Sequence, residues 1–158
     1  MNGNNISLCP VEESHRDFLI KLFKDCHPEL ESISNISSEK MKGLIEMQFM
    51  AGEQQLLQIY KDAELNIIMK DNEPIGRLSV NYGIKTDHII EIGLLRSYTK
   101  MGIGKTVINE VIEKSSINRK RVSLQVPWFN VNAFAFYEKL GFKLIDNKGA
   151  FYEMMYIP

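Results

Sequence analysis

Gly102-Ile103-Gly104-Lys105-Thr106 stands at the junction between an apolar run that reaches Leu95 and a run of helical periodicity that starts at the glycines. Residues of these types do backbone chemistry. Glycines at a strand-to-helix turn let peptide N–H groups converge on one point. The first turn of the helix leaves its own N–H groups without partners. Together they make a cradle for a phosphate or pyrophosphate, to which the helix dipole adds about 0.3–1 kcal/mol, up to ~2 kcal/mol when partly buried. Three readings of the loop compete on residues alone. A nucleotide P-loop, G-x-x-x-x-G-K-[ST], ends as Gly104-Lys105-Thr106 does but needs glycine where Thr99 stands. A dinucleotide fingerprint, G-x-G-x-x-G, needs glycine where Val107 stands. A plain glycine turn at a helix start asks for nothing more.

Other reactive residue types carry less. The chain has two cysteines, Cys9 and Cys26, which read as reduced, partly buried thiols rather than a disulfide framework. Cys26-His27 lacks partners at metal-ligand spacing, so no metal is expected. Asn118-Arg119-Lys120-Arg121 reads as a solvated turn before a strand, with a contact to a ligand phosphate as the alternative.

These residues need elements to hold them. Ile6 to Cys9 is a short strand, ended by Pro10. Glu12 to Lys24 has Phe18, Leu19, Leu22 and Phe23 at helical spacing. Glu39 to Ala51 is a second helix, expected to break at Gly52, with a further short turn or helix over Gln54 to Tyr60. Leu65 to Lys70 and Ile75 to Tyr82 flank Asp71-Asn72-Glu73-Pro74, so the pair reads as an antiparallel hairpin. His88 to Leu95 is a third strand of this group. The pattern continues as helix (Gly102 to Ser116), strand (Val122 to Val126), helix (Asn130 to Leu140) and two closing strands (Phe142 to Ile145 and Phe151 to Ile157). That order indicates an α/β layer fold on a mixed sheet, in one domain over 1–158.

The composition agrees. Of 158 residues, 44% are apolar and 25% charged, the averages of a globular protein, which excludes disordered, collagen-like and disulfide-stapled chains. The formal net charge of −1 gives no global field to hold a long nucleic acid, so none is expected as a partner. No apolar stretch approaches the length of a membrane span, and the first residues carry no basic, apolar leader pattern. A cytoplasmic protein with no membrane partner is the expectation.

A second segment decides between the readings of the loop. Asn130, Ala133, Tyr137, Gly141 and Phe142 fit the pattern N-x-x-A-x-x-x-Y-x-x-x-G-F. Here the chain resembles the GNAT family of N-acetyltransferases. The family's first signature, [QR]-x-x-G-x-[GA], is met by Gly102 and Gly104, with Thr99 in place of the leading Gln or Arg. The resemblance covers roughly residues 64 to 158, with the two N-terminal helices in the expected order. It implies a mostly antiparallel sheet with a central splayed parallel pair and helices on both faces. It implies acetyl-CoA as co-substrate, donating to a primary amine of a small molecule or peptide by direct attack on the thioester. The alternative is a non-catalytic acyl-CoA-binding sensor or interaction module. Pairing as a homodimer is compatible with the resemblance.

Carried over residue by residue, the resemblance puts the pyrophosphate on the backbone of Lys100, Met101, Gly102, Ile103, Gly104, Lys105 and Thr106. It lays the pantetheine arm along the exposed edge of Ile92 to Leu95, with Leu94, Leu95 and Arg96 among the cofactor-binding residues. Loss of a charged side chain at Thr99 leaves this backbone site intact, and Lys100 or Lys105 can supply charge nearby. A backbone N–H near Leu94 or Leu95 would polarise the acyl carbonyl. Tyr137 matches the tyrosine beside the CoA sulfur that protonates the leaving thiolate; a core aromatic is the competing role. The resemblance also carries Asn130 and Ala133, with Tyr137, over as CoA contacts. Asn130 also suits a helix N-cap, in competition with Asn132. The base is expected on the strand before the loop, at His88 or Glu91. In a regular strand these two lie on opposite faces, and a bulge would reverse that parity. Gln48, Phe49 and Tyr60 are candidates for the acceptor wall.

Overall fold

Ile67 and Ile68 are neighbours in sequence, and each is 0% exposed. Consecutive strand residues point to opposite faces, so the sheet that holds them is covered on both sides. The structure is a computed structural model that describes residues 5–33 and 35–158. The described residues form a seven-stranded sheet of β1 (Ile6–Pro10), β2 (Glu64–Lys70), β3 (Glu73–Tyr82), β4 (Thr86–Leu94), β5 (Arg121–Pro127), β6 (Lys143–Asn147) and β7 (Phe151–Tyr156). Their spatial order is β1-β2-β3-β4-β5-β7-β6. Neighbours run antiparallel except β4 and β5, which are parallel.

Helices α1 (Arg16–Cys26) and α2 (Ser38–Ile59) lie on the Ile67 face, where Leu19, Phe49 and Ile67 form a small core. The larger core lies on the other face. There α3 (Ile103–Ile117) buries Ile103, Val107, Ile108, Val111 and Ile112 against Ile68, Leu78, Val80, Ile89, Val122 and Leu124. Each such aliphatic side chain contributes about 1.5–3 kcal/mol of burial. Helix α4 (Val131–Lys139) joins this core through Ala133, Phe134 and Tyr137.

The β2–β3 hairpin closes through Asp71 and Asn72, at φ +50° and +67°. Two positive φ values in a two-residue loop match the right-handed twist of the strands, and Asx residues tolerate them. One expectation fails. Gly52 does not end a helix: α2 runs on to Ile59. Its buried stripe of Ile45, Phe49 and Leu56 keeps helical phase across the glycine, so packing outweighs the roughly 1 kcal/mol that a helical glycine costs. The separate element over Gln54 to Tyr60 is the end of that helix.

Candidate active site

The parallel pair is short. β4 and β5 pair only at Thr86–Arg121, Asp87–Val122 and His88–Ser123, and beyond that the strands diverge. Buried Asp87 helps to lock the closed end, accepting from Ser115 Oγ at 2.7 Å, Lys120 Nζ at 3.0 Å and Gly83 N at 3.2 Å. Lys120, from the basic run, is therefore an ion-pair partner of the fold. The open end is a cleft of about 890 Å³, lined by Ile89 to Gly93 of β4, Leu124 to Pro127 of β5, and Asn130, Ala133 and Tyr137 of α4. Its other wall comes from α1 and α2, with Phe23, Cys26, His27, Phe49 and Glu53.

The ladder phase decides which backbone groups face this cleft. Leu95 N donates to Ile75 O at 2.8 Å, which makes Leu95–Ile75 a hydrogen-bonded pair. Antiparallel ladders alternate, so Leu94 (opposite Gly76) and Ile92 (opposite Leu78) turn their N–H and C=O groups away from β3, toward the departed β5. Leu95 N–H is taken and Leu94 N–H faces the opening. The α1 terminus fixes this strand end: Asp25 Oδ2 accepts from Arg96 N at 2.5 Å, and Cys26 Sγ donates to Leu94 O at 3.8 Å.

A 3-10 turn at Arg96–Tyr98 leads to the glycine loop. Thr99 Oγ1 donates back to Arg96 O at 2.7 Å, so this hydroxyl braces the turn. Lys100 and Gly102 both take positive φ, +62° and +79°, and Gly102 is the α3 N-cap. The first helical bond is Thr106 N to Gly102 O at 3.1 Å. Ile103, Gly104 and Lys105 precede it and have no intrahelical acceptor, which narrows the expected donor set by removing Thr106. Ile103 buries its side chain in the core, whereas Lys100, Met101 and Lys105 are exposed. A Cβ at Gly104 would sit 3.7 Å from Phe136 Cζ and 4.0 Å from Leu94 Cδ1, so this glycine lies against the strand end.

On α4, Asn130 Oδ1 accepts from Ala133 N at 3.1 Å, so Asn130 is the cap and Asn132 is not. The helix ends in a Schellman motif. Gly141 N donates to Glu138 O at 3.0 Å and Phe142 N to Tyr137 O at 3.1 Å, with Gly141 at φ +103°. The Phe142 ring lies 5.7 Å from that of Tyr137. The spacing Tyr137-x-x-x-Gly141-Phe142 is therefore a helix stop that pins the tyrosine against the core. Burial pushes the Tyr137 hydroxyl up to about 12, so it stays protonated at every working pH.

β4 carries a bulge. Ser79 pairs with Glu91 and Val80 with Ile89, leaving Ile90 as the extra residue. Parity reverses there, and His88 and Glu91 share the α1/α2 face. They do not share the cleft. His88 sits at the closed end, its Nδ1 2.8 Å from Ser123 Oγ and its ring stacked on Tyr60 at 5.6 Å. Burial holds its pKa below the ordinary histidine value. Glu91 lines the cleft, with its side chain 41% exposed. Desolvation raises its pKa, the Arg77 cation pulls it back, and Glu53 raises it again. Of the acceptor-wall candidates Phe49 lines the cleft, Gln48 is exposed elsewhere, and Tyr60 is on His88.

A sequence model of the acetyltransferase (GNAT) family matches residues 17–142. The chain belongs to the GNAT acetyltransferase family. Solved structures share the GNAT fold. PaiA N-acetyltransferase from Thermoplasma acidophilum, in complex with coenzyme A, is similar at a TM-score of 0.71 and 21% identity, over 97% of this chain and 99% of that one. An acetyltransferase from Thermus thermophilus gives 0.73 at 16%, over 98% and 97%. A GNAT family acetyltransferase from Elizabethkingia anophelis with acetyl-CoA bound gives 0.65 at 17%, over 99% and 100%. At these identities the likeness is one of fold.

The GNAT cleft also holds residues that sequence reasoning missed. Arg77 is the chief one; its signal was a lone charge inside the apolar run Ile75 to Val80. Glu53, which binds it, gives no local sign. Among the described residues no group of three or more His, Cys, Asp or Glu is placed to hold a metal. No described helix is long and apolar enough to cross a membrane.

Proposed function

We propose that this protein is an N-acetyltransferase that takes its acetyl group from acetyl-CoA and passes it to a primary amine of a small molecule or peptide. The observation that carries the reading is the open edge of β4. The backbone groups of Ile92 and the N–H of Leu94 turn away from β3 to the side left by β5, beside the cleft that Glu91, Ile92 and Tyr137 line. The pantetheine arm would bond to that edge as a strand would. Its pyrophosphate would meet the N–H groups of Ile103 to Lys105 and the loop before them.

Leu94 N–H would donate to the thioester carbonyl oxygen, a preorganised contact worth about 2.7–4 kcal/mol in other acyl-transfer sites. The acceptor would arrive from the α1/α2 side as an ammonium. Glu29, Glu53 and Glu91 against the single Arg77 make that wall acidic, which suits a cation. Glu91 would take one proton, directly or through water, to free the nitrogen lone pair. The new C–N bond forms as the C–S bond breaks. Tyr137 would protonate the departing thiolate and be reprotonated by the second proton leaving nitrogen. A tyrosine at about 12 is a weak acid against a thiol of ordinary pKa about 8.5, but the same desolvated cleft disfavours the thiolate and would raise that value too. The free thiols Cys9 and Cys26 suit a reducing compartment, and we place the enzyme in the cytoplasm.

The test is a panel of amines with acetyl-CoA, read as release of free CoA. Transfer to at least one amine is expected. Glu91→Gln should lower kcat by about 10²–10⁴ and remove the acidic limb of the pH profile. CoA binding with no transfer to any amine overturns the enzyme reading in favour of a sensor.

A further inference from the structure

Arg77 is a charge where the sheet has little water. Its side chain is 8% exposed, on β3 beneath α2. The guanidinium meets two carboxylates from two elements. Nη1 is 2.6 Å from Glu53 Oε1 and Nη2 is 3.2 Å from Glu53 Oε2, a two-pronged contact with α2. Nε is 2.7 Å from Glu91 Oε1 on β4, an ion pair whose N–H lies off the line to the oxygen. Glu53 alone would neutralise the cation. The third nitrogen reaches instead toward the one carboxylate that the bulge at Ile90 swings onto this face.

We infer that Arg77 is a positioning residue of the acetyl-transfer site: it ties Glu91 to Glu53, fixing the proton-accepting carboxylate and holding α2 over the cleft as the acceptor wall. This rests on the function proposed above. Arginine suits the role because it keeps its charge at every working pH and its planar fork grips a carboxylate at two points. The contact engages Oε1 of Glu91 and leaves Oε2 for the acceptor. Without the cation, two carboxylates would share the cleft, and like charges in one site force one of them to hold a proton.

Three charged groups bear on Glu91 from the elements around it. Arg77 of β3 favours its ionised form. Glu53 of α2 opposes it, and His27, the C-cap of α1, favours it. Cys26 of α1 feels Glu91 in return, its thiol held above the ordinary value by burial first and then by Asp25 and Glu91. The two partners in the bridge therefore act on Glu91 with opposite sign. Those signs follow from charge in any such bridge; a positioning role is set apart by the same shifts appearing in the acidic limb of kcat/KM, which a purely structural bridge would leave in place.

The experiment measures Glu91 twice, by the carboxyl ¹³C titration in labelled protein, assigned by its loss in Glu91→Gln, and by the acidic limb of kcat/KM. Arg77→Met should move both upward by about 1–3 pH units, the range for losing an adjacent opposite charge. Glu53→Gln should move both downward. Arg77→Lys should hold the titration near wild type while raising the acceptor KM, since a point charge restores the field but not the two-pronged grip on α2. If Arg77→Met does not fold, Glu53→Gln and Arg77→Lys still decide. Titrations that stay in place in the folded variants, or that move in one direction for both Met and Gln, overturn the inference. Shifts of the stated signs in a protein that releases no CoA with any amine overturn the acetyl-transfer reading and leave the coupling standing.

Discussion

Tyr137 is held by its ring and reacts, in the proposed mechanism, by its oxygen. The ring lies 5.7 Å from Phe142 and 5.2 Å from Phe136, so Tyr137→Phe keeps the packing and deletes one hydroxyl. If the hydroxyl protonates the leaving thiolate, kcat should fall by about 10²–10⁴ with little change in CoA affinity. Steady-state CoA release over pH 6 to 10 measures it. Because burial pushes this hydroxyl up to about 12, no ionisation of Tyr137 should shape the profile in that window. A kcat within about threefold of wild type would return Tyr137 to packing alone. Glu91 is the contrasting case, a group whose pKa is raised by burial and restrained by a cation, so if it is the base of the proposed mechanism, activity should be gained as pH rises through a value above that of an ordinary glutamate.

The elements show how the site is built from local rules. α4 begins where Asn130 caps it and stops just before Gly141 turns left-handed, and the nine helical residues Val131–Lys139 set Ala133 and Tyr137 on the cleft face. Gly141 is also crowded: an added Cβ would lie 3.0 Å from Tyr156 Cε2. Gly141→Ala must therefore both adopt φ +103° and displace a ring. We expect a loss of at least 1–2 kcal/mol, the cost of the left-handed conformation alone. Denaturant unfolding measures it, and a loss below about 0.5 kcal/mol would mean that the helix ends in another way. On β4 the decisive local event is one inserted residue, Ile90, which turns Glu91 to the α1/α2 face, where the proposed mechanism calls for a base.

At the scale of the whole molecule, the sheet is clamped closed at one end of the β4–β5 pair and opens at the other. Helices of both faces reach the opening: α1 and α2 from one side, α4 from the other, with the α3 start just past Leu94. A ligand that bridges these parts binds only the folded state, so CoA should raise the melting temperature. At 100 times its Kd the gain is about 2.7 kcal/mol, which for a chain of this size is roughly 5–10 °C. Gly104→Val should keep the fold, because the first added carbon meets only ordinary contacts, and should lose most of this protection by blocking approach to the backbone. Full protection of the folded variant by CoA would contradict the placement of the pyrophosphate.

What depends on near neighbours was legible in the residues. The Asp71-Asn72 turn, the Asn130 cap, the glycine at the α3 start and the Gly141 stop follow from side chains acting within a few positions of themselves. The helical and strand periodicities follow for the same reason, and with them the layer order and the loop that can cradle a phosphate. Where a local signal erred, at Gly52, distant packing of Ile45, Phe49 and Leu56 outweighed it. The rest was decided by partners far along the chain. The ladder phase that frees Leu94 N–H and takes Leu95 N–H is set by Ile75, the parity of Glu91 by the pairing of β3, and the closed position of His88 by Ser123. Arg77 reads in sequence as a stray charge in an apolar strand. Only the approach of Glu53 and Glu91 makes it stable there, because a buried cation persists only where folding brings its counter-charges to it.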